Sequence, residues 1–151
     1  MKFHDCIGLV LKNKPENRIL SIAPEETVYA ALALMAKYDI GALLVLNGGR
    51  RLVGILSERD YARKVSLMGH TTRETQVREI MTAPVTSVSP QNTVDECLTL
   101  MTQHHFRHLP VVERGEVVGL VSIGDLVKWV ISGQEHAIQE LQGYITGTYP
   151  A

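Results

Sequence analysis

The chain has 151 residues, of which 45% are hydrophobic and 21% are charged, and its formal net charge is −1 at pH 7. This length and apolar content suffice for a buried core and exclude an intrinsically disordered chain. A net charge so close to zero gives no general attraction to nucleic acid or to an anionic membrane, so neither is an expected partner and any phosphate recognition has to be local.

The N-terminal segment, residues 1–14, is predicted to be helical, and its short apolar stretch lacks the cleavage pattern of a secretory signal. Nowhere does the sequence approach the roughly 18 consecutive apolar residues that a membrane-spanning helix needs. We therefore expect a cytoplasmic protein. Cys6 and Cys97 lie far apart and lack metal-binding spacing, so we interpret both as small buried apolar residues.

The sequence repeats itself. Residues 21–35, "SIAPEETVYAALALM", match residues 87–101, "SVSPQNTVDECLTLM", at a constant offset of 66. The offset falls to 65 after the turn "NGGRR", which is one residue longer than its counterpart "ERGE". "GILSERD" at 54–60 then matches "GLVSIGD" at 119–125. A duplicated structural unit is predicted.

Each copy predicts the same elements in the same order. The first copy begins with a short strand at about 18–22, followed by a helix in which Val28, Ala31, Leu32 and Met35 recur at helical spacing. Two apolar runs, "ALLVL" and "RLVGIL", predict a hairpin, and a second helix, "SERDYARKVSL", begins at Ser57 as its N-cap.

The second copy begins with a strand at 85–88 and a helix whose apolar positions are Val94, Cys97, Leu98 and Met101. The runs "LPVV" and "EVVGLV" predict its hairpin, and a helix, "SIGDLVKWVI", begins at Ser122. A further helix is predicted in "GQEHAIQELQGYI".

The predicted fold class is α+β, with two β-α-β-β-α units related by a pseudo-twofold axis. Strands built almost entirely of Val, Ile and Leu must be covered on both faces, so the two small mixed sheets should share one core. The predicted boundaries are 1–14 for the N-terminal segment, 15–68 for the first repeat, 69–83 for a linker, 84–133 for the second repeat, and 134–151 for a C-terminal helix and tail.

The duplicated strand-to-helix turn suggests a site. A helix N-terminus offers unpaired backbone N–H groups that attract phosphate, and a carboxylate in the first turn can accept hydrogen bonds from a ribose diol. The competing interpretation is structural, because Ser followed three residues later by an acid is close to an N-terminal capping box. Duplication copies a cap as faithfully as a binding site, so both interpretations stand.

The two motifs, together with "SIAPEETV", "SVSPQNTV" and "HLPVV", resemble a tandem pair of CBS domains, the family named for cystathionine β-synthase, also called a Bateman module. The resemblance extends over about residues 15–133. It implies a regulatory protein that is not an enzyme, with adenine nucleotides bound in two clefts between the repeats. The implied ligands are AMP, ADP, ATP or NAD, with S-adenosylmethionine less favoured and no catalytic cofactor.

The resemblance also implies which residues contact the nucleotide. Asp60 and Asp125 would each hold a ribose. Residues implied for the Asp60 cleft are Ile55, Ser57 and Arg59 from the first repeat and Thr86, Arg107, His108 and Pro110 from the second. Residues implied for the Asp125 cleft are Leu120 and Ser122 from the second repeat and Leu20, Gly41, Ala42 and Leu44 from the first.

The copies differ where phosphate would bind. Arg107 and His108 correspond to Gly41 and Ala42, and Arg59 corresponds to Gly124, so the candidate phosphate partners all belong to the Asp60 cleft. That cleft is predicted to bind nucleotides more tightly. The competing interpretations are a solvated helix residue for Arg59 and an exposed strand edge for Arg107 and His108.

Other functions are less well supported. His104 and His105 are adjacent in a helix and cannot face one point together, so metal binding is not expected. The sequence contains neither a G-x-S-x-G nucleophile motif nor a P-loop. Three hypotheses remain, namely a nucleotide sensor that regulates an unidentified protein, a structural or dimerisation module without ligand, and an enzyme with an unrecognised site.

The resemblance implies a homodimer formed through the helices that follow each motif. Trp129, Val130 and Ile131 are the predicted contact residues. The alternative is that these residues pack within their own chain against the C-terminal helix.

Overall fold

The structure, a computed structural model, describes residues 2–15 and 19–132. After a 3₁₀ turn at Lys2–His4, the helices are α1 Ile7–Lys12, α2 Val28–Tyr38, α3 Glu58–Asp60 with a π-helical continuation at Tyr61–Ser66, α4 Val77–Ile80, α5 Val94–His104 and α6 at 123–132. The strands are β1 Ser21–Ile22, β2 Ala42–Asn47, β3 Arg51–Ser57, β4 His108–Glu113 and β5 Glu116–Ser122. The predicted mixed fold of two repeats is confirmed, and the helix predicted after residue 134 lies outside the described residues.

The two repeats form matching sheets of unequal size. In the first repeat, β1 runs parallel to β2, and β2 pairs antiparallel with β3. In the second repeat, β4 pairs antiparallel with β5. Both hairpins shift register at the same place, between Val45 and Leu46 and between Val111 and Val112.

The strand predicted at 85–88 is reduced to one parallel bridge between Val88 and Val111. The Val88 N–H donates to the Pro110 carbonyl at 3.0 Å, and the Val88 carbonyl accepts from the Val112 N–H at 2.7 Å. The next bond toward Thr86 would need an N–H at Pro110, which proline lacks. Pro110 therefore ends the pairing of this strand with β4. At the matching place in the first repeat, Leu44 has a backbone N–H, so β1 can pair with β2 over more residues.

A shared core joins the sheets, as predicted. Leu44, Leu46 and Val117 are buried together, and Ile55 and Leu120 pack partly buried against them. Each repeat also has its own cluster, built around the buried face of α2 in the first repeat and around that of α5 in the second. Because the central cluster draws on both hairpins, the repeats are fixed face to face.

The N-terminal segment and the linker cover the two repeats in equivalent ways. The linker bonds to the start of α2 through Val28 N to Thr75 O (2.9 Å), Val77 N to Glu26 O (2.8 Å) and Arg78 N to Pro24 O (3.0 Å). The N-terminal segment bonds to the start of α5 through Val94 N to Asp5 O (3.0 Å), Ile7 N to Asn92 O (2.8 Å) and Gly8 N to Pro90 O (2.9 Å). Residues 5–8 thus bond to the start of α5 in the same way that residues 75–78 bond to the start of α2.

The N-terminal segment is also held by side chains. Ile7, Val10 and Leu11 are buried in the core of the second repeat. The Trp129 Nε1 donates to the Asp5 carboxylate at 3.0 Å, and the Lys2 ammonium lies 4.3 Å from the centre of the indole ring. Trp129 is therefore engaged within its own chain.

Two expectations need correction here. Trp129 and Val130 pack against the core of the second repeat, so Ile131 is the one of the three predicted dimer residues that is largely exposed. Cys97 is buried, and burial raises the pKa of its thiol to about 11. Cys6 is exposed because it occupies the N-cap of α1, before the buried face begins at Ile7.

The first testable prediction concerns Gly54, where β3 meets the chain after α4. A Cβ at this position would lie 2.9 Å from the Met81 Cγ and 3.3 Å from its Cβ, whereas a Cβ at Gly41 would meet nothing within 4 Å. We expect Gly54→Ala to lower the free energy of unfolding by about 1–3 kcal/mol, because Met81 must move out of a packed core. Urea denaturation measures this, with Gly41→Ala as the control. Equal midpoints for the two variants would contradict the predicted steric conflict.

Candidate functional site

Both motifs form reciprocal caps at the start of a helix. In the first repeat, the Asp60 N–H donates to the Ser57 Oγ at 3.2 Å, and the Ser57 N–H donates to the Asp60 Oδ2 at 3.0 Å. In the second repeat, the corresponding distances between Asp125 and Ser122 are 3.1 and 2.8 Å. The structural interpretation of the motif is therefore confirmed. It does not exclude the ligand interpretation, because a carboxylate can satisfy a cap and still accept further donors.

A cavity of about 530 Å³ opens beside the first of these caps. It brings together seven of the residues expected at the Asp60 cleft, from both repeats, namely Ile55, Ser57, Arg59, Asp60, Thr86, Arg107 and His108. Pro110 is buried and does not line it. Residues that the sequence did not indicate also line it, namely Glu58, Arg63, Thr82, Pro84, Val85, His104, His105 and Phe106. Of these, Arg63 could have been found, since it lies one helical turn after Arg59.

Gly41 and Ala42 line this same cavity, although we expected them at the Asp125 cleft. The reason is the register of the first hairpin. Ala42 pairs with Ser57, and the Glu58 N–H donates to the Gly41 carbonyl at 3.0 Å. The start of β2 therefore lies beside the motif of its own repeat.

The same register operates in the second repeat. His108 pairs with Ser122, and the Ile123 N–H donates to the Arg107 carbonyl at 2.9 Å. Arg107 and His108 thus line the Asp60 cavity while their backbone lies beside the Asp125 motif. These two residues sit where the two candidate sites meet.

Two further residues expected at the Asp125 cleft lie in apolar cores. Leu44 is fully buried in the shared core, because β2 is covered on both faces. Leu20 packs partly buried against the core of the first repeat. The side chain of Leu44 is therefore not exposed in this structure.

The Asp60 carboxylate has neighbours on its second oxygen as well. The Thr82 hydroxyl donates to Oδ1 at 3.2 Å, and the Lys64 ammonium lies 3.4 Å from the same atom. Lys64 itself donates to the Ile80 carbonyl at 3.0 Å. The carboxylate thus accepts from Ser57 at Oδ2, and at Oδ1 it has both a neutral hydroxyl and an ammonium as partners.

The cationic side chains of the cavity outnumber its acids. Arg59, Arg63 and Arg107 line it, and the acids are Glu58 and Asp60. This local positive charge coexists with a chain that is nearly neutral overall. A ligand that carries phosphate would meet a favourable potential here.

His108 is held neutral by its surroundings. Burial lowers the pKa of its imidazole below the usual value of 6.5, the Asp125 carboxylate partly offsets this, and the charges of Lys14 and Arg107 lower it further. His108 is therefore a hydrogen-bonding group rather than a fixed charge near neutral pH.

The Asp125 carboxylate has a charged partner from the N-terminal segment. The Lys14 ammonium lies 3.0 Å from Asp125 Oδ2 and donates to the Leu120 carbonyl at 2.9 Å. Burial raises the pKa of Asp125, but the hydrogen bond from the Ser122 backbone and the contact with Lys14 outweigh it and hold that pKa below its usual value.

Neither a metal site nor a membrane span is found in the described part of the chain. Across residues 2–15 and 19–132, no three His, Cys, Asp or Glu side chains are grouped so that they could hold an ion. No helix in those ranges is long and apolar enough to cross a bilayer.

The depressed pKa of His108 predicts a pH dependence of stability. The unfolded state takes up a proton near pH 6.5, while the folded state resists it until a lower pH. The free energy of unfolding should therefore fall as the pH is lowered from about 6.5 through the folded-state pKa. Urea denaturation at a series of pH values should show a shallower slope for His108→Gln, with His70→Gln, which removes an exposed histidine, as control. An unchanged slope in His108→Gln would contradict this assignment.

Comparison with known proteins gives the family. The CBS domain family model matches residues 14–67 and 77–132. The mitochondrial CBS domain-containing protein CBSX3 of Arabidopsis thaliana is 38% identical over 129 residues, which are 83% of this chain and 63% of that protein. The CBS domain-containing protein YhcV of Bacillus subtilis is 32% identical over 116 residues, which are 77% of this chain and 81% of that protein.

Solved structures of CBS-domain proteins have the same fold as this chain. A Burkholderia ambifaria protein with CBS domains is 49% identical, with a TM-score of 0.81 over 85% of this chain and 96% of that one. A hexameric CBS-CP12 protein from bloom-forming cyanobacteria is 26% identical, with a TM-score of 0.71 over 81% of this chain and 66% of that one. With two matched domains, a duplicated hairpin and a shared core, the chain belongs to the CBS-domain family.

Proposed function

We propose that this chain is a regulatory protein without catalytic activity of its own, which binds an adenine nucleotide in the Asp60 cavity and acts on a separate protein. The observation that carries the proposal is the cavity itself. It joins a helix N-terminus and a carboxylate from one repeat to an arginine and a histidine from the other.

Each part of a nucleotide has a suitable partner. Ile55, Val85 and Phe106 give an apolar lining for a base, and Asp60 is an acceptor for ribose hydroxyls. Arg59, Arg63 and Arg107 suit phosphate, to which a guanidinium can donate two parallel hydrogen bonds. The volume, about 530 Å³, falls within the range of roughly 300–1,000 Å³ typical of small-molecule sites. AMP, ADP, ATP and NAD all fit this chemistry.

The Asp60 carboxylate can exchange its present partner for a ligand. The Thr82 hydroxyl at Oδ1 is a neutral donor, as a ribose hydroxyl is. Replacing one by the other conserves the hydrogen bond, and the capping bond at Oδ2 stays in place. The cap and the ribose contact are therefore compatible.

Regulation follows from the position of the cavity between repeats. A nucleotide that touches Arg59 in one repeat and Arg107 in the other favours the relative orientation that suits both contacts. A ligand shifts such an equilibrium by its difference in affinity for the two states. A structural module without ligand would explain the caps, but it would not explain why Arg59, Arg63 and Arg107 line one cavity.

The partner surface most suited to a second copy lies on α6. Ile123, Val127 and Ile131 are exposed and recur every four residues, so they form one apolar stripe. Leu67 and Met68, after the motif helix of the first repeat, are exposed as well. The hexameric CBS-CP12 relative shows that members of the family assemble. We infer that two copies associate through this α6 stripe.

Phosphate recognition by Arg107 can be tested by titration calorimetry with ADP. Removing a hydrogen bond to a charged group costs about 1.5–3 kcal/mol, so Arg107→Ala should weaken ADP binding roughly 10-fold to 150-fold. Adenosine binding should change much less, because adenosine has no phosphate.

Arg114→Asn is the matched control, because Arg114 is an exposed cation in the β4–β5 turn, and asparagine tolerates its left-handed backbone (φ 54°). ADP affinity in Arg107→Ala equal to that of the unsubstituted chain would contradict the phosphate assignment. No binding of any adenine nucleotide by the unsubstituted chain would contradict the proposed function as a whole.

The α6 stripe predicts the association state. Light scattering at micromolar concentration should give twice the mass of one chain. Val127→Glu should yield monomers, because it places a charge in the centre of a desolvated apolar contact. Lys128→Glu, on the neighbouring exposed position, is the control and should remain dimeric. A monomeric unsubstituted chain would disprove the dimer.

A further inference from the structure

The two motif carboxylates are contacted by structurally equivalent segments of different chemistry. Near the first motif, Thr82 bridges to Ile55 through two backbone hydrogen bonds, of 2.9 and 3.1 Å, and its hydroxyl reaches Asp60. Near the second motif, Lys14 donates to the carbonyl of Leu120, the counterpart of Ile55, and reaches Asp125. The two carboxylates therefore have different partners, a hydroxyl at Oδ1 of Asp60 and an ammonium at Oδ2 of Asp125.

Lys14 is fixed beside Asp125 by the helix that precedes it and by its own contacts. It follows α1, whose residues Ile7, Val10 and Leu11 are buried in the second repeat. Its own side chain is 25% exposed, and that of Asp125 is 23% exposed. The contact thus joins two half-buried groups across 111 residues of chain, at the end of an anchored helix.

The charge of Lys14 decides how easily a ligand could displace it. Hydrogen bonds with an ionised donor are roughly twice as strong as neutral ones. A ribose hydroxyl is a neutral donor, so at Asp60 it can replace Thr82 at Oδ1 like for like. At Asp125 the ammonium bonds Oδ2, the oxygen that also accepts the cap bond, so a ribose would have to bind a carboxylate whose charge Lys14 already neutralises. Lys64 lies 3.4 Å from Asp60 Oδ1, the oxygen that Thr82 contacts, but its side chain is 43% exposed, so solvent screens its attraction more than that of Lys14, which is 25% exposed.

We propose that Lys14 occupies the second candidate site from within, as an internal competitor for the Asp125 carboxylate, so that each chain binds one nucleotide, at the Asp60 cavity. The proposal rests on the proposed function, since it takes the motif carboxylate as the ribose acceptor.

The test is the number of ADP molecules bound per chain, measured by titration calorimetry. We expect one for the unsubstituted chain and two for Lys14→Met, which removes the ammonium and leaves an apolar chain of similar length. The double variant Lys14→Met/Asp125→Asn should return to one. Lys14→Arg, which keeps the positive charge, should also bind one.

Two controls accompany this experiment. Lys12→Met removes an exposed lysine of the same segment and should bind one ADP. Thermal unfolding of each variant establishes that it is folded, and Lys14→Gln, which keeps a polar end without the charge, replaces Lys14→Met if the latter is unfolded.

The outcomes separate this inference from the proposed function. One ADP in both the unsubstituted chain and Lys14→Met would overturn the inference and leave the function standing, as would two in the unsubstituted chain. No ADP in the unsubstituted chain but one in Lys14→Met, lost in the double variant, would support the inference and overturn the proposed binding at Asp60. No binding in either would overturn both.

Discussion

The structure depends on one constraint, which is that neither hairpin can bury both of its faces by itself. Each repeat covers one face of its sheet with its own helices, and the other face closes only against the second repeat through Leu44, Leu46 and Val117. Because the hairpins meet face to face, Arg107 and His108 at the start of the second hairpin line the cavity beside Asp60 of the first repeat. The cavity at the first strand-to-helix turn therefore lies between the repeats, and a molecule bound in it would contact both.

A second consequence of this arrangement is that one carboxylate can serve both folding and recognition. The cap that Asp60 forms with Ser57 uses one oxygen, and it fixes the carboxylate at the cavity wall without the side-chain entropy cost that a free acid would incur on binding. The caps formed by Thr27 and Thr93 at α2 and α5 lack this feature, since a threonine cap has no carboxylate left to present. A helix that begins with Ser and has an acid at its third position can therefore offer a carboxylate oxygen to a ligand, whereas a helix capped by Thr alone cannot.

The order of helices and strands, the hairpins and the shared core were predictable, because they follow from apolar spacing and from the offset between the copies. The seven cavity residues were predictable only from the resemblance to CBS domains, since spacing does not show that Arg107 comes near Asp60. Three features were missed for physical reasons. Hairpin register, which sequence leaves undetermined, places Gly41 and Ala42 in the Asp60 cavity, where we did not expect them. The missing N–H of Pro110 shortens the strand before α5, and the indole N–H of Trp129 bonds to Asp5 within its own chain.

Lys14 shows why a duplicated fold need not have two equal sites. The motif itself was copied, and Ser and Asp keep the same capping geometry in both copies. The segment that contacts each motif carboxylate was not copied with it, because the second repeat is preceded by the linker and the first by the N-terminal segment. The side chain that contacts each motif carboxylate therefore comes from a segment outside the duplicated motif, and the two segments need not carry the same residue type. Thr82 and the more exposed Lys64 contact Oδ1 of Asp60, whereas the less exposed Lys14 pairs with Oδ2 of Asp125, so the two carboxylates have different partners although their caps have the same geometry.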